Sequence, residues 1–108
     1  MYIARWTVTL LNGRLDSYLS LLRKWQIEVG MRAGWKPESV RVVTGCLGAS
    51  ESEVQYEVQI DELNDLQLAW ADIARNPAQA EYLNAFAAHI APGSNRWDVF
   101  QKRQISVD

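Results

Sequence analysis

From Tyr2 to Leu11 apolar and polar positions alternate: Tyr2, Ala4, Trp6, Val8 and Leu10 point one way, Ile3, Arg5, Thr7, Thr9 and Leu11 the other. A period of two carried by aromatic and β-branched residues predicts a half-buried strand, which Asn12-Gly13 ends. The period then lengthens. Leu15, Tyr18, Leu19, Leu22, Trp25, Val29 and Ala33 recur at helical spacing, so an amphipathic helix is expected over 14–32, with Gly34 as its C-cap and Pro37 barring continuation. Residues 39–47 read as a second strand through Val40, Val42 and Val43. A polar connection over 48–53 then leads into Val54, Tyr56, Val58 and Ile60, which alternate with Gln55, Glu57 and Gln59 as a third strand. Asp61 or Asn64 can cap a second helix carrying Leu63, Leu66, Trp70 and Ile73 on one face. Asn76-Pro77 interrupts that helix, and a restart after the proline packs Tyr82, Phe86 and Ile90. Beyond Pro92-Gly93-Ser94-Asn95, residues 96–105 read as a fourth strand with Trp97 and Val99 inward.

The order is strand–helix–strand, twice. Right-handed crossovers and one hairpin between the halves give an α+β fold, the ferredoxin-like βαββαβ plait, expected as one domain over residues 1–108. Its antiparallel sheet has strand order 4-1-3-2 and carries both helices on one face. Tyr2, Trp6, Val8, Tyr56, Val58, Ile60 and Trp97 belong on the covered face. The opposite face shows Arg5, Thr7 and Thr9, then Gln55, Glu57 and Gln59, with Arg41 and Val43 from strand two and Phe100 and Lys102 from strand four. A one-sided sheet with a wet face has this alternation too. Apolar Ile3, Leu11, Val43, Leu47 and Phe100 on the same face favour a surface that pairs with a second sheet and encloses a partly polar cavity.

Charge narrows the partners. The net charge is −2, and residues 42–74 hold seven acidic residues and no Lys or Arg, so no basic footprint for nucleic acid is visible. An RNA-binding plait would also need aromatic residues on its exposed central strands, where this chain offers Gln55, Glu57, Gln59, Arg5 and Thr7. One Cys and one His cannot assemble a metal site of ordinary ligand count, and the lone Cys46 leaves no internal disulfide, which makes a reducing cytoplasm the expected setting. No apolar run approaches membrane-span length, and residues 1–6 lack a signal-peptide layout. No metal, nucleotide or other cofactor is expected.

Two stretches carry a family likeness. Ala4-Arg5-Trp6-Thr7-Val8-Thr9-Leu10, with Asn12-Gly13-Arg14-Leu15-Asp16-Ser17-Tyr18-Leu19, resembles the first strand, Gly turn and helix of NIPSNAP-like proteins. Trp70-Ala71-Asp72-Ile73-Ala74-Arg75-Asn76-Pro77, followed by Tyr82-Leu83, is similar to the second-helix stretch of the same group. The resemblance implies the dimeric α+β barrel superfamily, which spans cofactor-independent monooxygenases, polyketide cyclases, muconolactone isomerase-like enzymes and haem-degrading proteins. It further implies two sheets packed face to face across a twofold axis, and a pocket in each protomer between sheet and helices or at the lumen. The strand-one Asn of the haem-degrading branch is absent, its place taken by Arg5, Thr7 or Thr9.

Within that frame Arg5 and Glu57 are the candidate catalytic pair. A carboxylate in a closed, partly apolar cavity is pushed toward general-base behaviour by desolvation, and a neighbouring Arg opposes that shift while stabilising a developing enolate. The alternative is a cross-strand salt bridge that fixes the dimer register. Thr7, Arg41, Gln55, Gln59 and Phe100 would line and orient the substrate, or simply decorate a solvated sheet. His89, near a helix end, favours a structural part at the terminal carbonyls. Cys46 is expected as a small buried strand residue, and Trp35, in the loop before Pro37, either packs or lines a pocket mouth. The function expected is a homodimeric barrel enzyme acting on a small, largely apolar organic substrate. Proton transfer would drive isomerisation, cyclisation or oxygenation, in natural-product or aromatic metabolism. The alternative is a non-catalytic small-molecule binding or sequestering protein of the same fold.

Overall fold

A computed structural model describes residues 1–106. Strand β1 (Tyr2–Thr9) leads into helix α1 (Leu15–Trp25). Strands β2 (Val40–Thr44) and β3 (Glu53–Ile60) form the central hairpin. Helices α2 (Leu63–Arg75) and α3 (Gln79–Ala87) precede strand β4 (Arg96–Gln101). The sheet order is β2-β3-β1-β4, antiparallel at every pairing. This is the α+β ferredoxin-like plait that the alternation predicts, its second crossover split into two helices.

Core and pattern agree on the covered face. Ala4, Val8, Val54, Tyr56 and Val58 are buried under Tyr18, Leu22, Trp25, Val29, Leu66, Ile73 and Phe86. Burying a large apolar side chain is worth roughly 1.5–3 kcal/mol. This layer therefore sets the fold.

Helix α1 departs from the expected single helix over 14–32. After Trp25 the chain widens into a π-helical turn, Gln26–Gly30, then tightens into a 3-10 turn, Met31–Ala33, and stops at Gly34 with φ 94°. The cause is Gln26, whose amide is drawn into the core. It donates to the Trp35 carbonyl at 2.6 Å and accepts from the Tyr56 hydroxyl. A wide turn lets the side chain reach both partners without breaking the helix outright.

Other boundaries move for equally local reasons. Helix α2 is capped by Glu62 rather than Asp61 or Asn64, and the Glu62 N–H donates to Asp65 Oδ2 at 3.3 Å. Asn76 Oδ1 accepts from the Ala78 N–H at 2.9 Å, so Pro77 lies in a side-chain-closed turn and α3 starts after it. Strand β4 ends at Gln101 because its one neighbour, β1, runs out at Tyr2, its register partner. Strand β2 stops at Thr44, which leaves Cys46 exposed in the connection instead of buried in a strand. Trp35 is core, 3% exposed and packed among Trp25, Tyr56 and Trp97. His89 sits in the turn after α3 with Nδ1 buried and unbonded, so the terminal-carbonyl interaction expected of it is not made there.

Candidate functional site

Arg5, Glu57 and Arg41 are register partners on three adjacent strands, so their side chains leave the same face of the sheet side by side. Glu57 lies between the two guanidinium groups. Arg5 Nε donates to Glu57 Oε2 at 2.6 Å, and Arg41 Nε donates to Oε1 at 2.7 Å. The second nitrogen of each Arg closes the fork at 2.5 Å. Each carboxylate oxygen thus accepts two charge-assisted bonds from one guanidinium, Oε2 from Arg5 and Oε1 from Arg41. The side chains flanking Glu57 leave it only 4% exposed on a face that no helix covers.

That geometry decides the carboxylate's chemistry. Burial pushes the Glu57 carboxyl up, but the hydrogen bonds and charges of Arg41 and Arg5 outweigh it and hold the group below its ordinary value of 4.5. Desolvation does not win, so Glu57 is a poor proton acceptor near neutrality. What the arrangement does well is orient two guanidinium groups. Arg5 is further fixed beneath Phe100, whose ring centroid lies 4.6 Å from its guanidinium carbon.

The remaining sequence candidates are spread over neighbouring rows. Thr7 and Gln55 pair across β1 and β3 one row away. Thr7 is 2% exposed and its Oγ1 has no hydrogen-bond partner, while Gln55 Nε2 donates to Glu53 Oε2 at 3.2 Å. Gln59 lies on the other side, opposite Ile3, and is exposed. Arg5, Glu57, Arg41 and Phe100 therefore form one group, with Thr7, Gln55 and Gln59 outside its bonding network. None of these residues lines the second candidate site.

That second site lies between sheet and helices. Trp6 and Trp97 on the sheet, Trp25 on α1, Trp70, Ile73 and Ala74 on α2, and Gln79 and Leu83 on α3 join Asn95 around a cleft of about 460 Å³. Trp6 and Trp97 lie stacked with centroids 6.1 Å apart, and Trp70 meets Trp97 edge-on at 5.7 Å. Gln79 Oε1 accepts from the Trp25 indole N–H at 2.8 Å, which orients the Gln79 amide. The lining holds no acid, base or thiol. Periodicity assigns most of these Trp residues to the core. Strand β4 lies at the edge, as the expected order 4-1-3-2 requires, so Trp97, expected inward, stays 36% and Trp70 38% exposed. The signal that could have found the cleft is an excess of Trp, five in 108 residues, over what a small core can cover.

Among the described residues there is no cluster of three or more His, Cys, Asp or Glu able to hold a metal ion, and no helix is long and apolar enough to cross a membrane.

No sequence-family description matches the chain, and no curated protein is similar to it in sequence. Solved structures are similar in shape. A NIPSNAP family protein of unknown function from Agrobacterium tumefaciens str. C58 superposes with a TM-score of 0.78 at 19% identity, over 98% of this chain and 91% of that one. An uncharacterized NIPSNAP domain protein from Burkholderia xenovorans gives 0.72 at 12%, over 100% of both chains. A candidate antibiotic biosynthesis monooxygenase from Bordetella bronchiseptica gives 0.70 at 12%, over 95% of this chain and 98% of that one. The chain thus has the ferredoxin-like α+β fold of NIPSNAP-like and antibiotic biosynthesis monooxygenase-like proteins.

Proposed function

We propose that the chain is a homodimeric binding protein for a small, largely apolar organic molecule, held in the tryptophan cleft. The carrying observation is the cleft itself, about 460 Å³ walled by four indoles with two side-chain amides in the lining. Offset or edge-on stacking against indoles favours a planar ring system, and Gln79 Nε2 and the Asn95 amide suit a hydroxyl or carbonyl at its rim. Binding is favoured over turnover because the lining lacks an acid or base and because Glu57 is already saturated by two Arg residues.

Pairing of two sheets is supported by the open face, where Val43 and Phe100 stay 37% and 44% exposed beside the charged group. In this reading Glu57 positions Arg5 and Arg41 for contact with a second copy. A reducing cytoplasm suits the exposed, unpaired Cys46. A second reading, cofactor-independent oxygenation or isomerisation of the same ligand, is supported by the fold shared with the monooxygenase-like structure.

Titrating 2-naphthol and 9,10-anthraquinone while following tryptophan fluorescence tests the cleft. Saturable quenching is expected for the wild type and its loss in Leu83→Trp, which fills the cleft from the half-exposed Leu83 position. Unsaturable quenching, or quenching indifferent to Leu83→Trp, would refute the site. Consumption of either probe without added cofactor would select the enzymatic reading. Sedimentation equilibrium should give twice the 12.3 kDa chain mass, and a persistent monomer would remove the pairing.

A further inference from the structure

Resting on the homodimer proposed above, we infer that one row of charges across the open face dictates which way round the second copy docks. Arg41 on β2, Glu57 on β3, Arg5 on β1 and Asp98 on β4 are successive register partners. Their side chains form a line across all four strands, and the signs alternate: positive, negative, positive, negative.

Two twofold stackings keep the strands of face-to-face sheets aligned. With the axis lying along the row, every residue meets its own copy, so each juxtaposition is between like charges. With the axis lying along the strands, the row is reversed. Arg41 then faces Asp98 of the partner subunit, and Glu57 faces the partner's Arg5. Each juxtaposition becomes attractive, and the same alternation that favours one arrangement repels the other.

The outer positions discriminate most. Glu57 has both oxygens bonded within its own chain, whereas the Arg41 and Asp98 side chains are 67% and 42% exposed. Asp98 is held by Arg96 through Oδ2 at 2.9 Å, which leaves Oδ1 for a second donor. The next row does not oppose the arrangement, because Arg96 would face the partner's Val43 and Gln55 would face the partner's Thr7. The strand-parallel axis also lays the β2 edge, with half-exposed Val43 on the open face, over the partner's β4 edge, with Phe100 on its open face.

Dimer dissociation constants from sedimentation test the axis. Asp98→Arg is expected to weaken the wild-type dimer roughly tenfold, because it creates two Arg–Arg contacts. The Arg41→Glu/Asp98→Arg double variant should recover to within about threefold, since both contacts become attractive again. Arg41→Gln, which puts no new negative charge beside Glu57, keeps the test alive if the double variant folds poorly; it should weaken the dimer and flatten its salt dependence. Along the other axis these signs invert: Asp98→Arg would be neutral and Arg41→Gln would tighten association. A wild-type dimer indifferent to Asp98→Arg, or tightened by Arg41→Gln, overturns the inference while leaving the homodimer standing. A wild-type monomer overturns both.

Discussion

The two faces of one sheet bury their residues by different means. On the covered face Val54, Tyr56 and Val58 are each 1% exposed because helices lie on them. On the open face Glu57, one residue along from Tyr56, is 4% exposed with no helix above it. Its neighbours on the same face bury it, and the two guanidinium groups offset its desolvation. Apolar burial needs another layer. Charged burial needs only partners in register.

The largest loss from a single truncation is expected on the covered face. Trp25→Ala removes an indole that packs on Trp35 and Tyr56 and donates to Gln79, so a loss of about 3–5 kcal/mol is expected in urea unfolding. A loss below about 1 kcal/mol would mean that the aromatic layer is not the main support.

Glu57→Gln attacks the open side and should cost about 2 kcal/mol, less than the core lesion because Arg5 and Arg41 regain some solvation. Its pH dependence carries a definite sign. The native carboxyl is held below its ordinary value of 4.5, so the wild type's extra stability is present above about that pH and lost as acidification passes through the lower native value. Melting temperatures of wild type and Glu57→Gln should therefore converge as pH falls below 4.5. A constant gap down to strong acid would remove the ion network as the cause.

The smallest effect is expected at Thr7→Val. Its hydroxyl is buried without a partner, so the isosteric change should leave stability within about 0.5 kcal/mol or raise it slightly. A loss above about 1 kcal/mol would reveal a bond made by that hydroxyl in solution.

Much of this architecture is legible from spacing alone. The alternation through β1 and β3, the helical repeat of Leu15, Tyr18, Leu22 and Trp25, and the breaks at Asn12-Gly13 and Asn76-Pro77 lead to the observed strand order. The pairing of Arg5 with Glu57 follows as well, because the topology puts β1 and β3 side by side. The approach of Arg41 to the same carboxylate depends instead on the β2–β3 register. What spacing misses depends on partners far apart in sequence. The π-helical turn exists because Gln26 meets Tyr56, 30 residues away. The extent of β4 depends on where β1 begins, and the tryptophan cleft on how the helices sit against Trp6 and Trp97.

The chain by itself thus determined the elements, their order and the face on which each side chain emerges, since periodicity and turn chemistry act over a few residues. Tertiary structure alone decided whether the Glu57 carboxylate would act as a base or a buried anchor. Desolvation and ion pairing push its proton affinity in opposite directions, and their balance rests on distances of about 2.5–2.7 Å that only the assembled sheet brings about.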